Sequence, residues 1–120
     1  MSRIRRDNLK TMSVKSKRIH LIERDHKNRL TKLAEDKLWE TGYWDMPESM
    51  AKKLLEGSLL LHEKPKTPSF FGGIILNYRV QAEGKWKGRI LFTFEFQADH
   101  RGVMADPGGW RSDMKIVVKS

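Results

Sequence analysis

Between Ser16 and Leu38 the positions Ile19, Ile22, His26, Leu30 and Leu33 recur at spacings of three or four. That is the repeat of one helical face, so the pattern predicts an amphipathic helix over 16–38. Asp45, Pro47 and Glu48 form a helix-start signal, and Gly57 a stop. They bracket a second, short helix at about 46–56, with Met50, Ala51, Leu54 and Leu55 inward.

After Gly57 the period changes. SLLLHE (58–63) is a short apolar run ending in charge, and KPKTPSFF, with its two prolines, reads as a rigid loop. GGIILNYRV restarts extended chain, and QAEGKWKG, with glycines at 84 and 88, is a connection. In GRILFTFEF, Ile90, Phe92, Phe94 and Phe96 alternate strictly with Leu91, Thr93 and Glu95, which predicts a strand with one face on the core. The stretch 98–113 is too rich in Gly, Pro and Asp for regular structure, and MKIVVK closes the pattern as a last strand. The expected fold class is α+β: a basic N-terminal arm and amphipathic helix at 1–38, then a compact domain at 39–120 built on a small, curved antiparallel or mixed sheet with one short helix.

Composition adds three exclusions. With 120 residues, 38% of them hydrophobic, one modest core can be buried. The absence of cysteine rules out disulfides, thiolate metal sites and a cysteine nucleophile. No apolar run reaches the roughly 20 residues that span a bilayer, so the expectation is a cytoplasmic protein without a membrane partner.

Charge points to a partner. The chain carries 24 Lys and Arg against 15 Asp and Glu, a net +9. Residues 1–38 hold 12 basic and 5 acidic side chains, a net +7, so the positive field is concentrated in the first third. Arg3, Arg5, Arg6, Lys10, Lys15, Lys17 and Arg18 could neutralise phosphates by counterion release, or simply aid solubility.

The stretch AKKLLEGSLLLHEKPKTPSFFGGIILNYRV runs helix, glycine stop, strand, proline loop and glycine-opened strand. Through Ala51, Gly57, Leu59, Leu61, Gly73, Ile74 and Ile75 it resembles the PUA-like superfamily, particularly ASCH and EVE domains, over roughly 43–97. The resemblance implies a small β-barrel whose cleft or edge meets RNA, DNA or a modified base, although no counterpart of the aromatic cage of modified-base readers stands out. It also makes a metal-independent ribonuclease conceivable. His62 with Glu63, or Asp99 with His100, are the acid–base candidates, but strand neighbours point to opposite faces and no catalytic residue is assigned. His20, His26, His62 and His100 show no ligand pair at helical spacing, and no metal or other cofactor is expected.

The favoured function is therefore nucleic-acid binding. Lys64, Lys66, Lys85, Lys87 and Arg89 could extend the phosphate track, and Ser69, Gly72 and Gly73 could cradle a phosphate, although the same glycines would also suit a bulge. Trp86, flanked as Lys-Trp-Lys, is the leading base-stacking candidate, with Tyr43, Trp44 and Trp110 as further ones; Trp44 and Trp39 could equally be lids on the core. The alternatives are a protein-interaction module that dimerises or docks a partner through the 16–38 helix, and a small-ligand barrel.

Overall fold

The computed structural model describes residues 14–23 and 29–118. In chain order its elements are β1 (Arg18–Ile22), β2 (Arg29–Lys32), β3 (Leu38–Trp44), α1 (Glu48–Lys53), β4 (Ser58–His62), β5 (Phe71–Val80), β6 (Ile90–Phe96) and β7 (Met114–Val117), with a 3-10 turn at Ala98–His100. The seven strands make one mixed sheet in the order β2-β3-β6-β5-β4-β1-β7, so the protein is α+β with a single short α-helix among the described residues. Only β1 and β4 run parallel. No helix among the described residues is long and apolar enough to cross a membrane.

The predicted 16–38 helix is not formed: the described residues of that stretch carry β1 and β2. β1 lies between β4 and β7, and β2 pairs with β3. The run Ile-His-Leu-Ile decides the outcome: all four residues are buried, which suits a strand covered on both faces and leaves no wet side for an amphipathic helix. The helical spacing through Ile19, Ile22 and Leu30 joins residues from two different strands. Among the described residues of 16–38 there is no helical face.

The sheet rolls strongly. The Thr41 side chain on β3 hydrogen-bonds Glu23, just beyond β1, although three strands separate β3 from β1 in the sheet. Register shifts between Thr41 and Trp44 and between Ile75 and Asn77 help the bend, because a bulge adds local twist. The rolled face encloses the core, in which Ile19, Leu21, Leu59, Leu61, Phe92 and Phe94 are fully buried. β2 and β7 remain the two edges, so the sheet does not close.

The short helix spans less than expected. It begins after Pro47, with no side-chain cap, so Asp45 and Glu48 build no capping box. Its left-handed exit residue is Glu56, at φ 70°, and not Gly57. Gly57 serves a close approach: a Cβ there would stand 2.5 Å from the Lys17 carbonyl oxygen. Replacing Glu56 by Gly removes the left-handed strain and should raise stability by about 0.5–1 kcal/mol, read as a higher urea midpoint with an unchanged slope. A lower midpoint would show that the Glu56 side chain matters more than its backbone.

Candidate nucleic-acid interface

The connection between β5 and β6 is a tightly bonded turn. Gln81 N–H donates to the Arg89 carbonyl at 2.8 Å, Gly88 N–H to that of Gln81 at 2.8 Å, and Arg89 N–H to that of Trp86 at 2.9 Å. Gly84 and Gly88 each take φ 87°, which glycine adopts readily. The turn holds Trp86 parallel to Tyr43, with ring centroids 5.6 Å apart and planes 8° apart. Lys85 Nζ and the Arg89 guanidinium each lie 5.1 Å from the Trp86 ring centre. Arg89 also reaches the Tyr43 carbonyl at 3.5 Å. Two aromatic rings and two cations thus form one platform, drawn from the end of β3 and the β5–β6 turn.

Beside the platform runs a cleft of about 890 Å³. One wall comes from the end of β3 and the start of α1, including Tyr43, Trp44 and Met50; the other comes from Gly109, Arg111–Met114 and β7. Tyr43 and Arg89 belong to both platform and cleft. Trp44 is buried and spends its indole N–H on the Thr41 hydroxyl at 3.3 Å, so it offers a cleft wall and not a free stacking ring.

The other predicted residues go elsewhere. Lys64, Lys66 and Ser69 sit in the β4–β5 loop, at the opposite end of β5 from Trp86, and the ten residues of β5 put roughly 30 Å between the two groups. The expected continuous track of cations is therefore split. Ser69 is buried, its hydroxyl donating to the His100 carbonyl at 2.6 Å. Gly72 and Gly73 are also buried and cradle no phosphate: a Cβ would meet the Leu59 oxygen at 2.2 Å from Gly72 and the Glu95 oxygen at 1.9 Å from Gly73. Arg18 spends its guanidinium inside the fold, on His20 and the Lys15 carbonyl, each at 3.2 Å. The Lys15 amide donates to Ser58 Oγ at 2.8 Å. Trp110 is half-buried and packs against His20 and His62. Arg3, Arg5, Arg6 and Lys10 lie outside the described residues.

Two histidine arrangements each join residues 42 positions apart, and of their contacts the sequence suggested only the pairing of Asp99 with His100. In the first, Asp99 Oδ1 accepts from His100 Nδ1 at 2.7 Å, and His100 Nε2 accepts from Ser58 Oγ at 2.7 Å. The connectivity is that of a nucleophilic triad, but Ser58 and His100 are both 0% exposed, so no substrate reaches the hydroxyl. The chain instead ties the 3-10 turn to β4. In the second, His20 Nδ1 lies 2.9 Å from His62 Nε2, and burial lowers the pKa of both rings, that of His20 to about 3. The signal available for both arrangements was histidine within or beside apolar strand runs.

Comparison with protein-family models, with curated proteins and with solved structures finds no match to this chain.

Proposed function

We propose that the chain is a nucleic-acid-binding domain of PUA-like barrel build, and that single-stranded RNA or DNA meets it at the Tyr43–Trp86 platform. The observation that carries this reading is a parallel ring pair with two cations at 5.1 Å, beside an open cleft. Every nucleobase has a π-face, and stacking on an aromatic side chain is worth about 1–3 kcal/mol per base. Lys85, Lys87 and Arg89 supply the phosphate contacts that hold a strand in register, and Arg111 extends them along the cleft.

The test is anisotropy titration of a labelled single-stranded 12-mer at about 50 and 200 mM salt, the range over which phosphate contacts weaken steeply. Trp86→Ala should weaken binding roughly tenfold at either salt, because it removes stacking and no charge. Lys87→Ala should lower the salt slope by about one, with little change in sequence preference. No binding by the wild-type chain at the lower salt, or an unchanged Trp86→Ala titration, overturns the reading. A second reading, a free small ligand in the seam, is favoured by the cleft volume, which is in the range of small-molecule sites. It requires that a mononucleotide or other small aromatic anion bind with the 12-mer's affinity.

A further inference from the structure

The wall of the cleft is pinned from behind. Gly109 and Arg111–Met114 face the cleft, while Trp110, inside the same stretch, turns onto the outer face of β1 and β4. Its ring centre lies 6.2 Å from that of His20 and 5.8 Å from that of His62, edge-on to the latter. Its indole Nε1 is buried with no hydrogen-bond partner, so packing and not a side-chain hydrogen bond holds the ring there.

The two histidines beneath it form a directed chain. Arg18 Nε–H donates to His20 Nε2 at 3.2 Å, which leaves the His20 proton on Nδ1. That proton points at His62 Nε2, 2.9 Å away, which leaves the His62 proton on Nδ1, facing the Thr67 carbonyl at 2.8 Å. All four ring nitrogens are used, with one proton per ring. A further proton has no place: on His20 Nε2 it meets the Arg18 N–H, and on His62 Nε2 it meets the His20 N–H. The other charged group acting on His20 is also a cation, Lys115 from β7, and among the described residues no carboxylate acts on either ring.

We propose that the His20–His62 pair is an acid-sensitive latch on the cleft wall: protonation sets two N–H groups head to head, the rings part, and Trp110 releases the Gly109–Met114 segment, opening the cleft and discharging what it holds. The ligand half of this inference rests on the cleft being a binding site, as proposed above; the latch itself does not. The open state binds protons with the ordinary histidine pKa of about 6.5, whereas the closed state holds them far more weakly. Release of His20 therefore raises the open fraction about twentyfold between pH 7 and pH 5, and release of His62, whose pKa burial also lowers, raises it further.

The test is amide hydrogen exchange of the full chain at pH 7 and pH 5, corrected for intrinsic rates. The reporters are the Ile22 amide bonded to the Asp113 carbonyl, and the Arg111 and Met114 amides bonded to each other's carbonyls. Their protection should fall at least tenfold relative to the amides of β6, and His62→Gln, which can accept and donate without titrating, should shrink that fall. Unchanged relative protection in the wild-type chain overturns the latch, as does an equal fall in His62→Gln. Should that variant not fold, the wild-type comparison decides alone. Oligonucleotide titration at the same two pH values tests the coupling: affinity that falls with wall protection supports it, and affinity independent of pH while the wall opens overturns it. Absence of binding already at pH 7 is instead the failure of the nucleic-acid reading, and exchange then still decides the latch.

Discussion

Gly73→Ala should be the most damaging small substitution in the chain. The added methyl would stand 1.9 Å from the Glu95 carbonyl oxygen and 2.6 Å from its carbon, both backbone atoms of β6. A side-chain tip can swing away from such a contact, but a paired strand cannot, and Gly73 is in register with both Leu59 and Phe96. The expected loss is about 3–4 kcal/mol, at or above the upper end for overpacking, and a fall in melting temperature of about 15 °C. Gly108→Ala is the matched control, since nothing lies within 4 Å of its Cβ position, and should stay within about 0.5 kcal/mol of wild type. A Gly73→Ala chain that melts within about 3 °C of wild type would show that β5 and β6 separate easily at this point.

The second large effect is on the dependence of stability on pH. Burial lowers the pKa of His20, His62 and His100 below the ordinary histidine value, and raises that of Glu23 to about 7. A histidine with a lowered folded pKa leaves stability intact above the unfolded value of about 6.5 and removes it as pH falls toward the folded value. Glu23 acts in the opposite sense: the unfolded carboxyl ionises from about pH 4.5, the folded one only near 7, so stability is lost as pH rises through that window. Three histidines outweigh one glutamate, so the curve should be nearly flat around neutrality and fall steeply below about pH 6.5. Glu23→Gln keeps an acceptor for the Thr41 hydroxyl and removes the charge. Allowing for solvent screening at a part-exposed side chain, it should add about 1–2 kcal/mol at pH 8 and nothing at pH 4, steepening the acid limb. Urea melts across this range measure both limbs, and a Glu23→Gln gain equal at pH 4 and pH 8 would rule out the assigned cause.

The strands after Gly57 were legible because their signals are local. SLLLH, GGIILNYRV and ILFTFEF each carry their own bounding glycine, proline or charge, and they appear at 58–62, 71–80 and 90–96. The first third misled because the short strands β1 and β2 borrow their stability from distant partners, β4, β7 and β3, and the spacing between them imitates a helix. At the candidate interface Trp86 and its cationic neighbours were readable from Lys-Trp-Lys and Arg89, whereas their partner ring, Tyr43, lies 43 residues earlier and only the fold aligns the two. Gly72 and Gly73 show the converse failure. The sequence marked them as special, but the reason was the neighbouring strands and not a ligand.

The strand ladder stops at β2 on one side and β7 on the other. A closed ring of strands has a fixed girth, because widening it anywhere breaks main-chain bonds. Here no ladder joins β2 to β7, so the gap between them can change width without breaking a strand-to-strand bond across it. On the function proposed above, a single scaffold could then grip strands of unequal width, with the strain confined to the two rims.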